Sequence, residues 1–184
     1  MDLCTYHSHC DFCDGKAPAE DFVKATIEAG FHSYGISSHS PLPFETRWSL
    51  SKRNVEAYLM EIKRLREKYA GQIELYGGME IDYLNDDWGP AVEYFQRLPL
   101  DYRIGSVHLV TEEQTGEMMD MDGKFEDFRE NLRLVFHDDL KCLVKAYFKA
   151  SSRMVELGGF DFVAHLDKIS MNGSLMDSTL TEQE

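Results

Sequence analysis

Two histidines near the start of the chain, His7 and His9, are separated by a single residue in a stretch that is predicted to be the first β-strand. Because a strand turns alternate side chains to the same face, this spacing predicts that both imidazoles point to one side. Two converging imidazoles are typical of a metal site. Asp14, which precedes Gly15 in a predicted turn, offers a hard oxygen ligand close by.

Later polar side chains recur near the ends of further predicted strands, and each stands beside apolar sequence. They are His39, Glu80, His108 and His165. An unpaired charge such as Glu80 would be costly in an apolar strand, so a partner or a metal ion is expected there. His39 could equally be an ordinary loop residue, and each of these residues is a weak signal alone. Their shared position at strand ends indicates one common site.

Other reactive side chains are interpreted as bystanders. Cys10-x-x-Cys13 is compatible with a redox pair or with half of a zinc site. No second pair of this kind exists in the sequence, so reduced thiols are the preferred interpretation. His32 precedes its predicted strand, and His137 falls at a predicted helix break, so neither is expected in the site.

Composition and charge limit the partners. The 184 residues carry a formal net charge of −14, which disfavours a nucleic-acid groove or an anionic membrane surface as partner. An anionic phosphate ester remains possible as a small-molecule substrate, because bound cations invert the field of an acidic site. The sequence has no apolar run near 18 residues and no signal-peptide pattern, so a cytoplasmic location is expected.

Strands and helices alternate along the predicted chain. Strands are predicted over residues 3–9, 34–39, 73–83, 102–110 and 160–166, with helices between them; residues 170–184 show no periodicity. Repeated βα units imply a mainly parallel sheet, and every candidate ligand lies at or just after the C-terminal end of its strand. That edge is where a βα-barrel collects its active site, but five strands are too few to close a barrel of the usual ~250 residues.

The set of candidate ligands indicates a type of chemistry. Four or five imidazoles with one or two carboxylates exceed the needs of one tetrahedral zinc ion. They suit two or three divalent ions of zinc, manganese or iron, bridged by Glu80. Closely spaced ions of this kind hydrolyse phosphate esters without a protein nucleophile. The sequence has no Gly-x-Ser-x-Gly motif, P-loop or dinucleotide fingerprint.

The ordered motifs resemble those of the PHP (polymerase and histidinol phosphatase) family, and most closely its monofunctional histidinol-phosphatase branch. The motifs that carry the resemblance are His7-x-His9 with Asp14-Gly15, Ser38-His39-Ser40-Pro41, Gly78-Met79-Glu80, Gly105-Ser106-Val107-His108 and Ala164-His165-Leu166-Asp167. The resemblance implies a distorted (β/α)₇ barrel with a trinuclear metal site. It also implies hydrolysis of L-histidinol phosphate to L-histidinol and phosphate in histidine biosynthesis.

Site residues follow from the resemblance by position. The implied metal ligands are His7, His9, Asp14, His39, Glu80, His108 and His165, of which His39, Glu80 and His108 are also expected to be catalytic. Arg47, Trp48 and Lys168 lie on loops near these positions and are candidates for substrate binding.

The sequence departs from the family pattern in two places. Ser38 stands where family members carry an acid, and no Asp-x-His pair follows His165. A single PHP domain over residues 1–184, with about five βα units and without the late strands, is therefore expected. The chain would be a fragment, a truncated product, or one completed by another chain, and the open barrel predicts an oligomer.

Two further functions remain open at this point. One is a different activity of the PHP type, such as a nuclease or a general phosphoesterase. The other is a truncated metal-binding chain with little or no activity, which the missing Asp-x-His pair favours.

Overall fold

The computed structural model describes residues 2–176 and has an α/β fold. The elements in chain order are β1 (Leu3–Thr5), α1 (Ala19–Glu28), β2 (Phe31–Ile36), α2 (Val55–Lys68), β3 (Glu74–Asp82), α3 (Glu93–Gln96), β4 (Tyr102–Ser106), β5 (Leu109–Thr111), β6 (Met118–Asp120), α4 (Phe125–Phe136), α5 (Leu140–Leu157), β7 (Phe162–Val163) and α6 (Ser170–Met176).

Five strands form a parallel sheet in the order β1-β2-β3-β4-β7, which is an incomplete barrel with β1 and β7 at its two edges. Strands β5 and β6 form a separate antiparallel hairpin. The predicted parallel sheet and the incomplete barrel are confirmed. No helix within residues 2–176 has the length and apolarity needed to cross a bilayer.

Helix α2 shows how the periodic apolar positions build the core. Val55, Tyr58, Ile62 and Leu65 lie three or four residues apart and are buried against the sheet, as their spacing predicts. A second core cluster lies under α4 and α5, with Phe128 among its fully buried members. The break predicted between these two helices is confirmed, since His137 adopts a left-handed conformation with φ of 52° at the end of α4.

Two buried tyrosines connect the strands below the candidate site. The Tyr58 hydroxyl lies 2.7 Å from the Gly78 carbonyl oxygen and accepts a hydrogen bond from the Ser38 N–H at 3.2 Å. The Tyr102 hydroxyl donates to the Tyr6 carbonyl oxygen at 2.7 Å. Its ring fills the space above Gly78, where a Cβ atom would lie 2.3 Å from the ring. Residues just before His7, His39 and Glu80 are thereby held together.

Several predicted boundaries were wrong. The fifth strand, predicted over 160–166, is limited to Phe162–Val163. Strand β1 ends at Thr5, so His7 and His9 follow the strand instead of lying on it. Strand β2 begins at Phe31, which places His32 inside the strand. The predicted strand over 102–110 ends at Ser106, because Leu109–Thr111 pairs with β6 in the hairpin. Residues 170–176 form α6, although the sequence there shows no periodicity; residues 177–184 lie outside the described part.

The Tyr58 contacts lead to a stability prediction. Tyr58→Phe keeps the ring in the core but removes the partner of the buried Ser38 N–H. We expect the free energy of unfolding to fall by about 1–3 kcal/mol, the cost of leaving a buried donor unsatisfied. Urea denaturation measures this change. Tyr76→Phe is the matched control, because its hydroxyl donates to the exposed Glu74 and its loss should cost less than ~0.5 kcal/mol. Equal stability of Tyr58→Phe and the parent would contradict the assignment.

Candidate metal centre

The residues predicted as metal ligands come together at one end of the sheet. His7, His9, Asp14, His39, Glu80, His108 and His165 all line a single open pocket, which Ser8, Asp122 and Lys168 complete. Four strands deliver the histidines, because each histidine follows the C-terminal end of β1, β2, β4 or β7. Glu80 itself lies within β3, the central strand.

Backbone pairing fixes His39 beside Glu80. The two residues form an isolated parallel bridge that continues the β2–β3 ladder past Ile36. The Ser40 N–H donates to the Glu80 carbonyl oxygen at 2.7 Å, and the Glu80 N–H donates to the Ser38 carbonyl oxygen at 3.1 Å. The loop that begins at Ser37 therefore stays attached to the central strand, which explains why His39 is only 7 % exposed.

The Glu80 carboxylate is the centre of the site, and its two oxygens face different histidines. Oε2 lies 3.1 Å from His7 Nε2, 3.0 Å from His9 Nε2 and 3.2 Å from His39 Nδ1. Oε1 lies 3.1 Å from His165 Nε2 and 3.5 Å from His108 Nε2. One carboxylate thus meets five imidazoles that come from distant parts of the chain.

Burial and charge act in opposite directions on Glu80, which is 1 % exposed. Burial raises the pKa of Glu80, but the imidazoles of His165, His7 and His9 outweigh burial and hold this pKa well below its usual range. At His39, burial lowers the pKa to about 4 against the attraction of Glu80. Burial also lowers the pKa of His108, but Asp82 and Glu80 outweigh burial and raise this pKa to about 9. A bound cation would displace such a ring proton, because histidine binds a metal ion as the neutral imidazole.

The donor set fits a divalent metal ion. Both Glu80 oxygens and His39 Nδ1 are buried without a well-directed hydrogen bond from any described residue, although ring nitrogens lie near 3 Å. Buried polar atoms are rarely left unpaired, so atoms that converge without pairing indicate a shared cation. Within residues 2–176, four groups could hold an ion, each with ligand atoms within 4.8 Å of one another: His7/Glu80/His165, His9/His39/Glu80, His39/Asp82/His108 and His9/Cys13/Asp14.

Asp14 and Cys13 lie on the tight loop that follows His9. Asp14 Oδ1 is 2.8 Å from His9 Nδ1, and Asp14 Oδ2 is 3.8 Å from His39 Nε2. Gly15 is needed in this loop, because a Cβ atom there would lie 2.4 Å from the Cys10 Cα. Cys10 is buried near the Ser38 hydroxyl, whereas Cys13 lies beside His9, closer to the site than its interpretation as a bystander implied.

The three candidates for substrate binding have different surroundings. Lys168 lines the pocket, with its Nζ 2.7 Å from Asp122 Oδ1. The Trp48 ring lies 4.8 Å from the His39 ring, and its indole N–H donates to Asp120 Oδ2 at 3.0 Å. Arg47 is exposed, does not line the pocket, and makes no hydrogen bond or ion pair within residues 2–176.

Two acidic residues near the site were missed from the sequence. Asp82 is fully buried, and its Oδ1 lies 2.8 Å from His108 Nδ1. It follows Glu80 by two positions on one strand, so the alternation of strand faces could have identified it. Asp122 Oδ2 lies 3.8 Å from His108 Nε2. Asp122 comes after the β5–β6 hairpin, which the sequence analysis did not predict, so no comparable signal was available.

Comparison with known proteins agrees with this geometry. The PHP domain family model matches residues 5–183. A protein of Deinococcus radiodurans named "Probable histidinol-phosphatase" is 25 % identical over 173 residues, which cover 90 % of this chain and 60 % of that protein. This chain therefore spans less than two thirds of the length of that relative.

Two solved structures share the fold. The hisK protein from Listeria monocytogenes has a TM-score of 0.76 and 23 % identity, with 91 % of this chain and 68 % of that chain covered. Histidinol phosphate phosphatase from Lactococcus lactis, complexed with zinc, L-histidinol and phosphate, has a TM-score of 0.61 and 19 % identity, with coverages of 91 % and 59 %. The half-barrel described above thus aligns with a part of the fold of each of these two chains. With a family match that extends over nearly its whole length, the chain belongs to the PHP domain family.

Proposed function

We propose that this chain is a metal-dependent phosphomonoester hydrolase that converts L-histidinol phosphate and water to L-histidinol and phosphate. The observation that carries the proposal is the buried Glu80 carboxylate, whose two oxygens face five imidazoles. The substrate is proposed from the relatives, because one is named as a histidinol-phosphatase and another was solved with L-histidinol and phosphate. A role in histidine biosynthesis, and with it a cytoplasmic location, forms part of the same proposal.

The proposed cofactors are two or three divalent ions of zinc, manganese or iron. The imidazoles on the Oε2 side (His7, His9 and His39) and those on the Oε1 side (His108 and His165) would hold separate ions, with Glu80 between them. Asp14 is proposed as a further ligand beside His9 and His39. When bound, such ions neutralise phosphoryl oxygens and make water nucleophilic near neutral pH. No serine or cysteine nucleophile is then needed.

The residues around this centre would orient the substrate. Lys168 supplies a cation at the rim, and its ammonium can pass from Asp122 to a phosphate oxygen. Trp48 closes one side of the site against His39 and His108, and its bond to Asp120 fixes the ring. Arg47 stays a sequence-based prediction, because its exposed side chain would have to reach the pocket from the loop.

The two alternative functions, a nuclease and an inactive metal-binding chain, would require different properties of the protein. A nuclease would need a basic track for nucleic acid, which a chain with a net charge of −14 does not favour. An inactive metal-binding chain would hold metal ions at Glu80 and the histidines but would not turn over a phosphate ester. Substrate turnover and metal binding together separate these possibilities.

The decisive experiment measures phosphate release with zinc or manganese added to metal-free protein. We expect turnover of L-histidinol phosphate that exceeds turnover of p-nitrophenyl phosphate and of single-stranded DNA. Glu80→Gln should lose this turnover and weaken zinc binding by more than about 100-fold. Removing a group that only hydrogen-bonds a metal ligand already weakens metal binding about 10- to 100-fold, and loss of the ligand itself should cost at least as much. Glu74→Gln, on the exposed start of the same strand, is the matched control and should match the parent.

Each contradictory outcome has a distinct meaning. Metal binding in the parent without any turnover would support the inactive metal-binding chain. Faster cleavage of DNA would support a nuclease. Tight zinc binding by Glu80→Gln would contradict the metal centre itself.

Lys168 provides a test of substrate binding that leaves the metal ligands intact. Lys168→Met should raise the KM for L-histidinol phosphate about tenfold, because a hydrogen bond to a charged group contributes roughly 1.5–3 kcal/mol. Zinc affinity should stay within about twofold of the parent. Lys149→Met is the control, since Lys149 pairs with the exposed Glu113 on the surface. An unchanged KM in Lys168→Met would remove Lys168 from the substrate site.

We also propose that the chain is an oligomer in which another copy covers the open barrel. Strands β1 and β7 are the two edges of the described sheet, and Leu3 and Phe162 on them are partly exposed. Open edges and exposed apolar side chains favour pairing between chains. Light scattering at micromolar concentration should give the mass of a dimer or a larger assembly, and a monomer mass would contradict the proposal.

A further inference from the structure

Asp82 is a buried carboxylate beside the metal centre that is not among the proposed ligands, although its carboxylate lies within 4.8 Å of ligand atoms of His39 and His108. Its side chain is fully buried, and Oδ1 accepts a hydrogen bond from the His108 backbone N–H at 2.9 Å. The same oxygen lies 2.8 Å from His108 Nδ1. The other neighbour of this ring nitrogen is the Ser106 hydroxyl, which is more distant at 3.3 Å.

Burial of the ionised Asp82 carboxylate costs free energy, because the charge is removed from water. Glu80, a second acid, lies two positions away on the same strand and shares its interior face. Asp82 Oδ2 has no hydrogen-bond partner among the described residues. A buried ionised carboxylate needs a compensating partner, and the contacts of Asp82 Oδ1 are with the backbone and the ring of a single residue, His108.

The two ring nitrogens of His108 face different groups. Asp82 lies beside Nδ1 alone, whereas Nε2 faces Glu80 Oε1 at 3.5 Å and Asp122 Oδ2 at 3.8 Å. The Ser106 hydroxyl lies at similar distances from both ring nitrogens, 3.3 Å from Nδ1 and 3.4 Å from Nε2, so it does not distinguish them. A proton on Nδ1, donated to Asp82, leaves the Nε2 lone pair directed toward the centre of the site. Carboxylates that hold a histidine in this way orient the ring and raise its basicity as a ligand.

We propose that Asp82 is a positioning residue that fixes the ring orientation and tautomer of His108, so that Nε2 is the ligand on the Oε1 side of Glu80. The inference deepens the proposed metal-dependent function and rests on its metal centre. Asp82 acts through His108 and touches neither substrate nor ion.

The His9 side of the site repeats the arrangement in a more exposed setting. His9 Nδ1 lies 2.8 Å from Asp14 Oδ1, and His9 Nε2 lies 3.0 Å from Glu80 Oε2. Asp14 is 46 % exposed, so water can compete for its contact with the ring, whereas Asp82 is shielded from solvent by its burial. Loss of the carboxylate charge should therefore weaken zinc binding more at Asp82 than at Asp14.

The test combines zinc affinity with a spectroscopic signature of the His108 ring. Asp82→Asn should weaken zinc binding about 10- to 100-fold in a chelator competition, the usual effect of losing an outer partner of a ligand. Asp86→Asn, on an exposed residue four positions later that pairs with Arg153, is the control and should bind zinc like the parent. Thermal unfolding of the metal-free proteins checks that the variants are folded.

Nuclear magnetic resonance of zinc-loaded protein with ¹⁵N-labelled histidine reads the tautomer directly. In the parent, we expect His108 to carry its proton on Nδ1, with a downfield proton resonance that moves upfield in Asp82→Asn. A parent His108 that carries the proton on Nε2 would overturn the proposal, even if Asp82→Asn failed to fold. Unchanged zinc affinity in folded Asp82→Asn would overturn it as well.

Two further results distinguish a failure of this proposal from a failure of the proposed metal centre. If Glu80→Gln loses zinc while Asp82→Asn binds it normally, the metal centre stands and the role of Asp82 is refuted. If Glu80→Gln also binds zinc normally, the metal centre itself is refuted. A zinc-loaded crystal structure with an Asp82 oxygen at about 2.0 Å from zinc would make Asp82 a ligand and overturn its positioning role.

Discussion

A carboxylate buried among imidazoles is the constraint around which this half-barrel is organised. Glu80 is 1 % exposed in the central strand, and an ionised acid at such a position is tolerated only with nearby compensation. Five histidines from loops after four different strands supply that environment. The atoms approach within about 3 Å but are not paired by well-directed hydrogen bonds, which is the arrangement expected around shared cations.

The parallel sheet makes this convergence possible, because all its strands end at the same edge. Tyr58 ties the end of β2 to the middle of β3 below the site, and Tyr102 reaches from β4 to the residue before His7. Packing in the core is therefore coupled to the positions of His7, His39 and Glu80. Two further carboxylates help to hold the histidines in place. Asp82 and Asp14 each contact one ring nitrogen of a histidine whose other ring nitrogen faces Glu80.

The sequence was informative where a polar residue interrupted an apolar run. Glu80, His108 and His165 stand out for that reason, and the βα alternation predicts them at one edge of a parallel sheet. Boundaries set by tertiary contacts were not predictable in the same way. Strand β1 stops at Thr5 because its pairing with β2 ends there, and the β5–β6 hairpin depends on cross-strand pairs between distant residues. Asp122 was missed together with that hairpin, whereas Asp82 was overlooked despite a usable two-residue period.

The most direct test of this account is the position of metal ions in zinc-soaked crystals, located by anomalous scattering. We expect at least two zinc peaks, one beside each oxygen of Glu80, with histidine nitrogens at about 2.0–2.1 Å. One peak should contact residues from the Oε2 side and the other residues from the Oε1 side. Crystals that bind zinc only elsewhere on the surface, with the five imidazoles free of metal, would contradict it.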